Sequence, residues 1–158
     1  MKKFLNILYL LPLLLLAFWV AEKAFAQYAG IDCFEEATAQ DGLDLEEMDA
    51  MDLCSGTQVS QAPIDCFWEA YSEDGLYLNT DGAILLCSGT SEATAPIDCF
   101  LEAYAQDGLA LDLLESIQLC SGTNTATGPI DCFWEAYSED GLGLSIENSL
   151  RLCSPRWN

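Results

Sequence analysis

The chain has 158 residues, of which 26 are Asp or Glu, 5 are Lys or Arg and none is His. Its formal net charge of -21 excludes nucleic-acid binding, because proteins that bind phosphates use Lys and Arg to displace counterions. The absence of His removes the most frequent general base and the most frequent zinc ligand. Composition alone therefore argues against a nucleic-acid partner and against most catalytic mechanisms.

The first residues of the chain have the pattern of a bacterial-type secretory signal peptide. Lys2 and Lys3 precede an apolar stretch at 4–20, and an A-x-A cleavage signal ends at Ala26. The alternative is an uncleaved membrane anchor, although the stretch is shorter than the ~20 residues that usually span a bilayer. We expect cleavage of residues 1–26 to release residues 27–158 as a secreted or periplasmic protein without membrane contact.

The predicted mature part, residues 27–158, is more acidic than the whole chain. It keeps 25 acidic residues and only two basic ones, Arg151 and Arg156, for a net charge of -23. It also keeps all 8 cysteines, an even number that predicts a disulfide framework in an oxidising compartment.

The cysteines fall into two series that both step by 33 residues. The first series is Cys33, Cys66, Cys99 and Cys132, and the second is Cys54, Cys87, Cys120 and Cys153. The segment PIDCFWEAYSEDGL at 63–76 recurs unchanged at 129–142. Such a fixed period is typical of a repeat array. The predicted repeat units are 29–57, 62–90, 95–123 and 128–158.

Each unit is predicted to be a helical hairpin. In the second unit Ile64, Phe67 and Tyr71 supply an apolar face at helical spacing, and Gly75 has the pattern of a Schellman cap. Asn79 then suits the N-cap of a second helix, which ends at the second cysteine of the unit. The equivalent N-cap residues are Glu46, Asp112 and Ser145. Glu46 is a weaker cap, whereas Asp112 is followed three residues later by Glu115, the spacing of a capping box.

An antiparallel hairpin places the start of its first helix beside the end of its second, where the two cysteines of each unit lie. We therefore predict Cys33–Cys54, Cys66–Cys87, Cys99–Cys120 and Cys132–Cys153. A bridge that closes about 22 residues contributes ~3 kcal/mol, which a unit of this size needs. The alternative joins one unit to the next, as in Cys54–Cys66. A zinc site is disfavoured because the chain has no C-x-x-C motif.

The hairpins are predicted to stack as a short all-α solenoid. The two positions that differ most between units hold Glu35 and Thr38 in the first unit, but Trp68 and Tyr71 in the second. If these positions face the preceding unit, the polar first unit is a cap. The alternative is a string of independent hairpins with exposed aromatic residues. The architecture resembles that of tetratricopeptide and Sel1-like repeats, without the tetratricopeptide signature residues, so no functional residue is carried over.

Carboxylates also recur along the first helices at a spacing that places them on one face. The candidate cation ligands are Asp65, Glu69, Glu73, Asp98, Glu102, Asp131, Glu135 and Glu139. Calcium prefers such oxygen ligands, but a solvated helix face gives the same pattern, and no EF-hand loop is present.

The sequence predicts a secreted, non-enzymatic helical repeat protein that presents an acidic surface to a protein partner. Such a surface favours basic residues on the partner. Residues 27–158 contain neither His nor Lys, and their cysteines all have a structural role. No cofactor is expected apart from calcium. The alternative is a calcium-binding or cell-surface structural protein that uses the carboxylate stripes.

Overall fold

A computed structural model of the chain describes residues 28–155. This part of the chain is all-helical and contains no strand. Its first helix, α1, covers 28–38. The helices that follow are α2 (Glu47–Cys54), α3 (Gln61–Tyr71), α4 (Thr80–Cys87), α5 (Ala95–Tyr104), α6 (Leu113–Cys120), α7 (Gly128–Tyr137) and α8 (Ile146–Cys153). The predicted signal peptide, residues 1–26, lies outside the described residues.

Successive helices pair as hairpins, and one disulfide closes each hairpin. The bridges are Cys33–Cys54, Cys66–Cys87, Cys99–Cys120 and Cys132–Cys153. The bridged Cα atoms lie 5.6–5.7 Å apart, an ordinary separation for a disulfide. The predicted pairing within units is confirmed, and the alternative Cys54–Cys66 pairing is wrong.

The second helix of each hairpin begins at its predicted N-cap. The side chains of Asn79 and Ser145 each accept a hydrogen bond from the backbone N–H three residues further on. Asp112 and Glu115 form a complete capping box. Glu46 makes no side-chain cap hydrogen bond, as expected for a weaker cap. Local signals therefore place the start of these helices correctly.

The predicted Schellman cap at the end of the first helix is wrong. In the second unit α3 already ends at Tyr71, and the left-handed residue of the turn is Tyr77, with φ 56°. Gly75 has a different role, because a Cβ atom there would lie 1.8 Å from the carbonyl oxygen of Glu69. The N–H of Leu76 donates to that same oxygen at 3.1 Å. The glycine therefore allows the turn to fold back against the helix end.

The hairpins stack on one another. The helices α3, α5 and α7 contact in turn, and so do α2, α4, α6 and α8. One hydrophobic cluster runs through all the units and contains the disulfides together with Leu53, Leu86 and Leu119. The predicted short α-solenoid is confirmed, and the alternative of independent hairpins is wrong.

The connectors between units form a ladder of hydrogen bonds along the stack. In the second unit the N–H of Gly89 donates to the carbonyl oxygen of Leu53 at 2.8 Å. The hydroxyl of Ser88 donates to the carbonyl oxygen of Asp52. The third unit repeats both bonds onto the second. The fourth unit keeps the serine bond, from Ser154, but Pro155 has no N–H to donate.

Candidate binding surface

The outer surface of the stack exposes large apolar side chains at the same two positions of successive first helices. At the first position, Trp68, Leu101 and Trp134 are 50–51% exposed. At the second position, Tyr71, Tyr104 and Tyr137 are exposed to a similar extent. We call these six side chains the apolar ribbon.

The apolar ribbon does not supply the buried contact between units, contrary to the prediction. The side chain that the stack buries on the same helix is Ile64. Its equivalent in the first unit, Ile31, is exposed, because no hairpin precedes it among residues 28–155. Trp68 lies one helical turn beyond Ile64, and its ring remains half exposed. Both residues fit the helical period, so periodicity alone does not separate the interface from its rim.

Buried Phe side chains hold the Tyr rings of the apolar ribbon in place. Phe67 stacks on Tyr71 with ring centroids 5.5 Å apart, and the third and fourth units repeat this pair at 5.6 Å. Each of these Phe residues is buried in the core. An ordered aromatic ring loses little conformational entropy when a ligand covers it. The three Tyr rings of the ribbon are therefore held in a fixed orientation at the surface.

Carboxylates occupy the remaining outer face of the first helices and the turns that follow them. The eight residues of the predicted stripes are all exposed: Asp65, Glu69, Glu73, Asp98, Glu102, Asp131, Glu135 and Glu139. Glu73 and Glu139 lie in the turns beyond the ends of α3 and α7, so the prediction that they continue the stripe on the helix face is wrong. At 3.6 residues per turn, Asp65 and Glu69 lie on one side of the exposed arc and Trp68 and Tyr71 on the other. Acidic and apolar positions therefore alternate from one helix to the next.

The structure does not gather these carboxylates into a metal-binding cluster. Across residues 28–155, no group of three or more His, Cys, Asp and Glu side chains is arranged to hold an ion. The candidate ligands are instead exposed and distributed over three hairpins.

Two clefts open beside the tryptophans of the apolar ribbon. The cleft next to Trp68 has a volume of about 610 Å³, and Glu73 and Tyr77 line it. The cleft next to Trp134 has a volume of about 340 Å³ and includes Asp140. Sequence reasoning missed Tyr77, because it lies in the turn, where no helical period marks it. An aromatic residue at a turn position is the signal that could have found it.

The first unit interrupts the apolar ribbon. Glu35 occupies the first ribbon position, and Thr38 at the second turns its hydroxyl back to the carbonyl oxygen of Phe34, at 2.9 Å. The ribbon therefore spans only the second to the fourth unit. The prediction that this unit is a polar cap is wrong, because its stacking face exposes Ile31 and Met51.

The chain matches no protein-family model, and no curated protein or solved structure is significantly similar to it. None of the helices within 28–155 is long and apolar enough to cross a membrane. The four intramolecular disulfides indicate an oxidising environment. Fold and surface together define an all-α, disulfide-bonded repeat protein with a repeated apolar and acidic face.

Proposed function

We propose that the protein is a secreted, non-enzymatic helical repeat protein that binds a protein partner through the apolar ribbon and the carboxylates beside it. The observation that carries the proposal is the half-exposed pair of large apolar side chains in three consecutive units. Large exposed apolar patches mark interaction sites. Trp and Tyr are also among the residues that contribute most to protein interfaces.

The spacing of the surface favours an extended, basic segment of the partner. Packed helices lie about 8–10 Å apart, which is close to the ~9 Å that three residues span in a polyproline II helix. A segment with a basic side chain at every third residue therefore presents one cation to each unit. The cations pair with carboxylates such as Glu69, Glu102 and Glu135, while apolar residues of the segment cover the ribbon.

The proposal includes export to the periplasm or the exterior, with cleavage after Ala26. The four disulfides and the A-x-A signal support this part of it. The net charge of -23 on residues 27–158 supports a basic partner and argues against nucleic acid.

A calorimetric peptide titration tests the proposal. The probe is a Pro-rich peptide with Arg at every third residue, and the comparison peptide has the same composition with its Arg residues consecutive. We expect the regular peptide to bind more tightly. The double variant Trp68→Ala/Trp134→Ala should weaken its binding by about tenfold or more, because both rings are proposed contact residues.

The matched control is Leu114→Ala, which removes another exposed apolar side chain, on α6 and outside the apolar ribbon. It should leave the affinity unchanged. The proposal fails if the regular peptide binds no better than the comparison peptide, or if the tryptophan variant binds it as well as the original protein does.

The alternative function, calcium binding or a structural role at the cell surface, rests on the carboxylate stripes alone. Titration with millimolar calcium separates it from the first proposal. Heat of binding together with a higher melting temperature would support the alternative, and the absence of both would remove it.

A further inference from the structure

The first unit exposes one half of the contact that joins neighbouring units. Ile31 and Met51 are each 50% exposed, whereas their equivalents in the later units are buried. Ser55 and Gly56 are exposed too, although the same positions form the hydrogen-bond ladder further along the stack. Together with Phe34 these residues line a groove of about 630 Å³. We call this surface the leading face.

The fourth unit exposes the other half of the same contact. Leu152 is 49% exposed, whereas Leu53, Leu86 and Leu119 at the same position are fully buried by the unit that follows them. A cleft of about 400 Å³ opens beside Leu152, and Leu142 also lines it. We call this surface the trailing face.

We propose that the leading face of one copy docks on the trailing face of a second copy, so that the contact between units continues from chain to chain. The occupant is a second copy because the same contact already forms three times within the chain, between successive hairpins. Ile31 and Met51 then pack against Leu152 of the partner copy, since their equivalents Ile64 and Ile84 share one buried hydrophobic cluster with Leu53 within the chain.

The backbone groups of the two faces also match. Within the chain the N–H of Gly89 donates to the carbonyl oxygen of Leu53 at 2.8 Å. The equivalent bond between copies joins the N–H of Gly56 to the carbonyl oxygen of Leu152. A Cβ at Gly89 would lie 2.5 Å from Ser55 O, whereas a Cβ at Gly56 would meet nothing within 4 Å. The absence of a side chain at Gly56 thus leaves room for the backbone of a second copy to approach as closely as Ser55 approaches Gly89.

Pro155 does not interfere with this contact. The glycine at its position in earlier units donates its N–H to the preceding unit, which is the inner side of the fourth unit. Its missing N–H therefore weakens the bond to the third unit and leaves the trailing face unaffected.

Charge sets the conditions under which the copies associate. The net charge of -23 on residues 27–158 repels a second copy, so association should strengthen as salt screens it. Local charge adds to this repulsion, because acidic residues outnumber basic ones in both end units and Arg151 already pairs with Glu147 at 3.1 Å. A head-to-tail contact leaves one leading face and one trailing face free in a dimer, so further copies can add to it.

Sedimentation and light scattering of the naturally processed, disulfide-bonded protein test the proposal. Intact mass spectrometry defines its N-terminus. In about 1 M NaCl, where the screening length is ~3 Å, the average mass should rise with concentration beyond that of a dimer. A protein that remains monomeric up to about 1 mM under these conditions overturns the proposal.

Two variants decide the geometry. Ile31→Glu blocks the leading face, and Leu152→Glu blocks the trailing face; each alone should be monomeric. Their equimolar mixture should form dimers and nothing larger, because one intact leading face then meets one intact trailing face. Leu114→Glu, on an exposed site outside both faces, should associate like the original protein.

If something other than a trailing face covers the leading face, the measurements give a different result, and each such result overturns the proposal. Association of two leading faces would be abolished by Ile31→Glu and unaffected by Leu152→Glu. Coverage of the leading face by the N-terminal part of the same chain would keep the original protein monomeric at every concentration. Circular dichroism checks that each variant retains its helices.

Discussion

The hydroxyl of Thr57 donates a hydrogen bond to the carbonyl oxygen of Thr90, at the same position of the next unit, with an Oγ1–O distance of 2.7 Å. Thr90 repeats this bond to Thr123 at 2.9 Å. All three threonines are buried, so the bonds form away from water, where a lost partner is costly. The threonines thereby fix the connectors to one another along one edge of the stack.

Replacing Thr90 by Val should lower the free energy of unfolding by about 1–3 kcal/mol. The substitution keeps the shape of the side chain but removes the donor to the carbonyl of Thr123. Urea unfolding measures the difference. Thr94→Val is the matched control, because Thr94 is exposed and makes no side-chain cap bond. Equal losses in the two variants would show that the bond contributes nothing to stability.

Replacing Gly122 by Ala should destabilise the protein more than replacing Gly56 by Ala. Both glycines have positive φ, 67° and 91°, so both substitutions incur backbone strain of ~1–2 kcal/mol. Only at Gly122 would the new Cβ meet a neighbouring unit, 2.5 Å from the carbonyl oxygen of Ser88. The difference between the two melting temperatures therefore reports the close approach of the units. Equal melting temperatures of the two variants would mean that the second and third units can separate slightly without loss of stability.

Replacing Ser149 by Ala should leave the stability unchanged or raise it by up to about 1 kcal/mol. The Ser149 hydroxyl is buried and has no hydrogen-bond partner, and an unpaired buried polar group is unfavourable. The first two units already have Ala50 and Ala83 at this position, both fully buried. In Ser116→Ala, the comparison, a 2.8 Å bond to the carbonyl of Asp112 is lost, so no gain is expected. Thermal unfolding distinguishes the two, and a destabilised Ser149→Ala protein would contradict the prediction.

Removing the last disulfide with Cys132→Ala/Cys153→Ala should destabilise the fourth unit by ~3 kcal/mol and unfold it before the others. This unit packs on one neighbour only, so it lacks the support that a following unit would give. Hydrogen exchange should show lost protection in α7 and α8 while α3 to α6 stay protected. The corresponding Cys99→Ala/Cys120→Ala variant should lose protection on both sides of the third unit. Identical exchange patterns in the two double variants would contradict the prediction that a unit is supported by each neighbour it contacts.

Signals within one hairpin made most of the fold predictable. The two cysteines of each unit are separated by 21 residues and lie at the two ends that an antiparallel hairpin brings together. Asn79 and Asp112 cap their helices through atoms three residues away. The turn was harder to predict, because the role of Gly75 depends on its approach to the carbonyl of Glu69 rather than on its own dihedral angles.

By itself, then, the sequence determined the repeat length, which is the constant spacing of equivalent cysteines. It also determined the hairpins, their disulfides and the acidity of the surface, since each of these depends on residues within one unit. Only the tertiary structure decided which apolar side chains meet another unit. The stack buries Ile64 and leaves Trp68 at the surface, one helical turn away. Leu53 and Leu152 are the same residue at the same position of the repeat, yet their exposures are 0% and 49%. The physical reason is that burial depends on whether a neighbouring unit covers the side chain, which a local pattern does not record.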